Sequence, residues 1–349
     1  MLYITILLPA MTRCILCLFL FACRSAAICQ DATRTGLLFT SREKSRVAVD
    51  SIYYYQCTAY DSSGGKLSFS AENLPALLTF NAEAHTILGK AAKVGQYSVT
   101  IVVTNGKIKA YQRFMLTVYN KATTNILCLG NSITNGTSTF NSYRRALWQM
   151  LHKGNYNFDM IGSWSKHHAG GEVPNPDFDM DHDGHSGWNA EHIFHPPDWD
   201  STRGNINLWL ETYTPDIVLV ELGTNDVFQC RKTDDVLANF AQLVDVLRKK
   251  NSGVKIFIAQ IPPLGAQWAA KKLCGDSVMY DTRIRELNKA ILTFTKQHTL
   301  ASSPVTAVDQ FTGVNTKTGM YDDIHPNTAG EQVMAERWFV VIKKYLKVL

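Results

Sequence analysis

The 349-residue chain is short of the features that mark several large functional classes. It has no cluster of lysine and arginine with interleaved aromatics. Its formal net charge is +5, and +3 once residues 1–29 are set aside, because Arg13 and Arg24 leave with them and no acid does. That balance is too mild to argue for a nucleic-acid partner. After the first thirty or so residues no apolar run approaches the ~20 residues needed to span a bilayer, so no transmembrane segment is expected in the mature chain. Cysteine is scarce beyond residue 29, where Cys57, Cys128, Cys230 and Cys274 are all that remain. Residues 40 to 120 lack any long helical pattern.

What is present begins with an export signal over residues 1–29. Residues 14–22 form an apolar core preceded by Arg13, with Met11 as an alternative start. Cleavage after Cys29 fits the small-residue rule, with Ala27 at −3. The competing reading takes Leu20-Phe21-Ala22-Cys23 as a lipobox with Cys23 lipidated, and Phe21 fits that poorly. Either way the expected location is secreted or periplasmic, where disulfides are permitted. Cys128 reads as a buried thiol in a strand, and Cys57 as part of a strand in another domain. Cys230 and Cys274 each fall in a loop after a successive strand, at one edge of a sheet. A Cys230–Cys274 bridge would tie those loops together, and the alternative is two free thiols.

Over residues 30–120, short alternating runs are separated by turn signals. Tyr97, Val99, Ile101 and Val103 share one face of a strand, Asn105-Gly106 marks a turn, and Phe114–Val118 follows. This pattern predicts a small all-β, antiparallel sandwich. The stretches Leu74–Phe80, Ile87-Leu88-Gly89 and Gly95–Val99 resemble immunoglobulin-like (cadherin-like) modules. A spacer or stabilising role is the plain reading, and carbohydrate binding the sharper one. From 121 to 349 strands and helices alternate. Strands are expected at Asn125–Leu129, Phe158–Gly162, Asp216–Leu222, Lys255–Ile261 and Val305–Val308. Helices are expected at Tyr143–Lys153, Asp235–Lys250, Asp281–His298 and from about Asn327. That alternation predicts an α/β fold, a parallel sheet with helices on both faces.

Three short blocks carry the chemistry: Gly130-Asn131-Ser132, Gly223-Thr224-Asn225-Asp226, and Asp322-Asp323-Ile324-His325-Pro326. The first two directly follow buried-strand patterns, and reactive groups gather at the carboxyl ends of parallel strands. Ser132 is a nucleophile that needs a base. His325 is the candidate base, and Asp322 the carboxylate that orients it. Asp323 is the adjacent rival, disfavoured because neighbouring residues tend to diverge. Singly, each block reads as a helix cap, a turn or a surface loop.

Together with Gly184-His185-Ser186-Gly187-Trp188, these blocks resemble the SGNH (GDSL-like) hydrolase superfamily, in the family's order. The resemblance implies a flavodoxin-like, three-layer α/β/α domain. It assigns Ser132, His325 and Asp322 as the triad, and the Ser132 N–H, the Gly187 N–H and the Asn225 amide as the oxyanion hole. It requires no metal or organic cofactor. Where the family has Asp before the serine, this chain has Asn131. Residues 179–188 and Ser142-Tyr143-Arg144 look like the acetyl xylan esterases of carbohydrate esterase family three. That likeness implies removal of O-acetyl groups from xylan or a similar polysaccharide. The alternatives are a lipid-directed esterase of the same superfamily and a non-catalytic glycan-binding protein.

Indoles suit sugar rings. Trp188, Trp164 and Trp268 are candidates for substrate contact, and Trp199 reads as loop packing. Asp179, Asp181, Asp183 and Gly184 imitate half of an EF-hand loop, but its twelfth position is Ala190, so calcium is not expected. His182 and His185 read as hydrogen-bonding loop residues rather than zinc ligands. The sequon Asn135-Gly136-Thr137 adjoins Ser132 and reads as unused.

Overall fold

The computed structural model describes residues 36–168 and 170–349. The expected export signal, with Cys23 and Cys29, lies outside the described residues.

Nine strands come first: β1 (Leu37–Phe39), β2 (Arg46–Ala48), β3 (Ile52–Gln56), β4 (Ala59–Asp61), β5 (Ser68–Asn73), β6 (Leu78–Asn81), β7 (Thr86–Lys90), β8 (Gly95–Thr104) and β9 (Lys109–Tyr119). A four-stranded sheet in the order β2-β9-β8-β5 faces a three-stranded sheet, β3-β7-β6, with β1 and β4 paired beside them. Val99, Ile101 and Val103 point inward at 0% exposure, as their alternation requires. Asn105 Oδ1 accepts from Lys107 N and Ile108 N and so closes the β8–β9 turn. One pairing departs from the antiparallel expectation. β2 runs parallel to β9, which is possible because these strands are far apart in sequence and no hairpin joins them.

The second half is built on β10 (Thr124–Gly130), β11 (Phe158–Ile161), β12 (Asp183–Gly184), β13 (Ile217–Glu221), β14 (Lys255–Gln260) and β15 (Val305–Asp309). The sheet order is β11-β10-β13-β14-β15, every pairing is parallel, and the short β12 joins the carboxyl end of β10. Renumbered from one, this is the 2-1-3-4-5 order of flavodoxin-like folds. The order reverses between β10 and β13, which opens a crevice at their carboxyl ends.

The helices are α1 (Ser132–Asn135), α2 (Tyr143–Lys153), α3 (Ile206–Thr212), α4 (Thr224–Phe228), α5 (Thr233–Lys250), α6 (Ala266–Ala269), α7 (Tyr280–His298) and α8 (Thr328–Ile342). β10 is buried on both faces, so it reads as a continuous apolar run. Leu127 and Leu129 pack towards α3, α5 and α7, whereas Ile126 and Cys128 pack towards α2 and α8. Helices therefore cover both sides of the sheet.

The two halves share a polar seam. Arg46 Nε lies 3.1 Å from Asp159 Oδ2, and Ser45 Oγ donates to Asp181 Oδ2 at 2.6 Å. Ser165 donates to Glu43. Trp148 Nε1 donates to Gln96 Oε1 at 2.8 Å, and Gln96 Nε2 donates to the Phe158 carbonyl at 3.2 Å. Met115 of β9 packs into the apolar cluster of α2 and α8. Among the described residues no helix is long and apolar enough to cross a membrane.

Candidate active site

β10 ends at Gly130 because the chain must pass close to β13 there. A Cβ on Gly130 would lie 2.6 Å from the Glu221 carbonyl oxygen and 2.3 Å from Thr134 Oγ1. Asn131 then caps α1, its Oδ1 accepting from Ile133 N at 2.8 Å. Ser132 is thus the first residue of a helix at the crevice. Arg144, 1% exposed, holds the other end of α1 by donating to the Thr134 and Asn135 carbonyls at 2.7 and 3.0 Å.

Ser132 Oγ is 2.8 Å from His325 Nε2. His325 Nδ1 is 2.8 Å from Asp322 Oδ2, and the His325 main-chain N–H also donates to Asp322 Oδ1 at 2.8 Å. Burial pushes the Asp322 carboxyl up. The bonds from the His325 N–H, the His325 ring and the Ile324 N–H outweigh that effect and hold it below its ordinary value. The neighbouring Asp323 adopts φ +65° and turns its side chain onto Gly265, so the rival carboxylate is not the one beside the imidazole. Phe140, 7% exposed, stacks against His325 with centroids 5.3 Å apart and fixes the plane of the ring.

The loop after β12 runs beside α1. His185 N donates to the Gly130 carbonyl at 2.8 Å, and Asn135 Nδ2 donates to Ser186 Oγ at 3.2 Å. Gly187 follows at φ +81°, a conformation that side chains rarely adopt. Among the described residues the Ser132 and Gly187 main-chain N–H groups make no hydrogen bond. Asn225 Nδ2 donates to the Trp188 carbonyl at 2.8 Å, which leaves its second N–H free to point elsewhere. An imidazole on a hydroxyl, with a carboxylate behind it and free N–H groups nearby, can move a proton and hold a developing oxyanion.

Sequence reasoning gave no role in the site to four residues that lie here. Asp226, 2% exposed, accepts from Ala190 N with both oxygens at 3.1 Å and so ties the Gly187 loop to α4. Burial pushes its carboxyl up to about 6, against the pull of that bond. Its position three residues after Gly223 was visible, but its partner was not. Arg144 was visible as part of the Ser142-Tyr143-Arg144 run, though not its partners, and Phe140 carried no signal of its own. The fourth residue is Trp199.

Trp188 and Trp199 are placed differently from expectation. Trp188 is fully buried, stacked on His185 at 4.2 Å with Nε1 bonded to Asp200 Oδ2 at 3.0 Å, so neither ring face is open to a sugar. The loop needs a filled core beneath it, and Trp188 is that filling. Trp164 is half-buried beneath the Arg203 guanidinium, 3.6 Å from its ring. Trp268 lies on α6, with Lys271 Nζ 3.4 Å from its ring and Phe228 packed edge-on. Trp199, expected as packing, is 46% exposed, and its Cη2 would lie 3.2 Å from a Cβ on Gly187.

Cys230 and Cys274 form a disulfide with Cα atoms 5.4 Å apart, joining the segment after α4 to the segment after α6. Cys57 and Cys128 are free and buried, and burial pushes both thiols up to about 12. His182 Nδ1 accepts from Gly184 N at 2.8 Å, and burial drives the ring well below its ordinary value, so it is neutral. Asp183 accepts from Ser163 and Tyr213, and Asp181 from Ser45. The carboxylates of the EF-hand-like run are thus engaged by protein donors. Glu221 lies buried beneath the Ser132 turn beside the Asn131 amide, and burial pushes its carboxyl up to about 8.

Residues 128–333 match the GDSL-like lipase/acylhydrolase family, more than half of the chain. The chain belongs to that family. Residues 38–119 match a putative Ig domain, the all-β part of this chain. A multidomain esterase of Ruminococcus flavefaciens is 30% identical over a match of 238 residues that covers 64% of this chain and 29% of that protein. The chain therefore spans less than a third of that relative's length. Among solved structures, a carbohydrate esterase of family 3 from Talaromyces cellulolyticus is 27% identical with a TM-score of 0.51, over 64% of this chain and 97% of that one. A mutant acetyl esterase solved with an acetate ion is 27% identical with a TM-score of 0.50, over 64% of this chain and 99% of that one.

Proposed function

We propose that this acylhydrolase is a secreted serine esterase that removes O-acetyl groups from a polysaccharide such as acetylated xylan. The observation that carries the reading is the Ser132–His325–Asp322 chain of contacts, each link 2.8 Å. His325 Nε2 takes the Ser132 proton as Oγ attacks the ester carbonyl. Asp322 holds the Nδ1–H tautomer and supports the imidazolium. The Ser132 N–H, the Gly187 N–H and the Asn225 amide receive the oxyanion. His325 then returns its proton to the leaving alcohol, and water releases acetate from the acyl-enzyme. The acetyl preference and the glycan substrate draw on the likeness to the acetyl esterase and the family 3 carbohydrate esterase. Secretion draws on the apolar run at residues 14–22 and on the Cys230–Cys274 bridge, which suits an oxidising compartment. In this reading residues 1–29 are the signal, 30–120 a stabilising β-sandwich and 121–349 the esterase.

The test is acetate release from acetylated xylan by wild type and Ser132→Ala. Release by wild type that falls at least ~10³-fold in the variant is expected. Octanoyl esters cleaved in preference to acetyl esters would move the substrate to lipids. No turnover of any ester would leave a binding protein.

A further inference from the structure

Two adjacent pairs of residues, Gly187-Trp188 and Trp199-Asp200, face each other beside the loop that carries the proposed oxyanion donor. Gly187 lies against the Trp199 ring edge, and the next residues, Trp188 and Asp200, are hydrogen-bonded at 3.0 Å. Asp200, 4% exposed, also accepts from Arg203 Nε at 3.1 Å, and its N–H donates to the Pro197 carbonyl at 2.8 Å. The turn that carries Trp199 is therefore pinned to the loop that carries Gly187. A Cβ at 187 would lie 3.2 Å from the indole, so the ring would have to give by a few tenths of an ångström. Trp199 is nevertheless 46% exposed. An indole walling an acyl pocket would be enclosed. One that is anchored at its base, open on the outside and set beside a proposed oxyanion donor faces the solvent-side part of the substrate. In an ester that part is the alcohol.

We propose that Trp199 is a specificity-determining residue, a platform on which the sugar ring bearing the acetyl group lies while its carbonyl oxygen faces the Gly187 N–H. This rests on the deacetylase reading above. An indole face offers a sugar's C–H face apolar contact, at reduced entropic cost because the turn that carries the ring is already pinned through Asp200. Small alcohols cannot use the contact.

The experiment compares wild type, Trp199→Ala and Trp199→Phe on two probes: an acetylated xylo-oligosaccharide, and ethyl acetate, which has no ring. The expected result is a loss in kcat/KM for Trp199→Ala that is about ten-fold larger on the oligosaccharide than on ethyl acetate, carried by KM. Trp199→Phe should recover part of it. Equal losses on both probes would show that Trp199 merely supports the Gly187 loop, and would overturn the proposal. So would an unchanged KM in Trp199→Ala. A wild type that cleaves ethyl acetate but no acetylated sugar would overturn the deacetylase reading itself, which separates the two failures.

Discussion

The carboxylate beside His325 is the residue on which the proposed triad is most exposed to test. Asp322 and Asp323 adjoin, yet one bonds the imidazole and the other lies on Gly265. Asp322→Asn should lower kcat by ~10⁴-fold by spoiling the tautomer, whereas Asp323→Asn should leave the proton relay intact; steady-state kinetics on an aryl acetate will tell them apart. Since the Asp322 carboxyl is held low, it stays ionised in mild acid. Glu221 makes a second prediction. Its carboxyl is pushed up to about 8 by burial, so the folded state holds a proton that the unfolded state has released. Stability is then lost as pH rises from the ordinary glutamate range towards 8. Glu221→Gln removes the titration, and its melting temperature should exceed that of wild type by a margin that widens up to about pH 8. A constant margin would refute the assignment. Asn131 makes sense beside this group, because the family's Asp would place a second carboxyl against a buried one.

Elements were legible where a periodic pattern and a boundary signal coincided. The strand before Ser132 is an apolar run stopped by Gly130. The helices at Tyr143–Lys153 and Tyr280–His298 follow their 3.6-residue stripes. The long stretch between β11 and β13 was not legible, because its shape comes from single buried polar contacts rather than from a period. Trp188 and Trp199 were exchanged for that reason: both are loop tryptophans in sequence, and only the Asp200 contact decides which is inside. The expectation of a Cys230–Cys274 bridge succeeded because both residues follow successive strands of one sheet. That bridge closes a separation of 44 residues, for which the chain-entropy model gives about 4 kcal/mol. Cys230→Ser with Cys274→Ser should lower stability in denaturant titration by an amount of that order. A negligible change would mean that α4 and α6 hold their loops without it.

At the scale of the molecule the contacts of the β-sandwich reach strands and loops of the second half, which predicts a role beyond that of a spacer. Asp159, Asp179 and Asp181 are buried near the seam, and burial raises all three carboxyls. Groups raised in this way favour the folded state in acid, and the advantage is lost as pH rises through the raised values. Thermal stability should therefore decline from pH 5 to pH 8, and Asp181→Asn should flatten that decline. Calorimetry across that range is the check. A chain cut to residues 121–349 would leave Asp159 without Arg46 and Trp148 Nε1 without Gln96. It should melt well below the whole protein, and an unchanged melting point would return the sandwich to the role of spacer. The seam also bears on how the protein comes into being. The sandwich is made first, and about sixty residues separate Tyr119 from Asp181. At ~5–20 residues per second its inner side faces water for several seconds before its partner exists. Arginine, serine and glutamine can wait in water without adhering to other chains, and Met115 is a small apolar risk among them. A seam of charges and amides lets the nascent chain pause safely where a greasy one would invite aggregation.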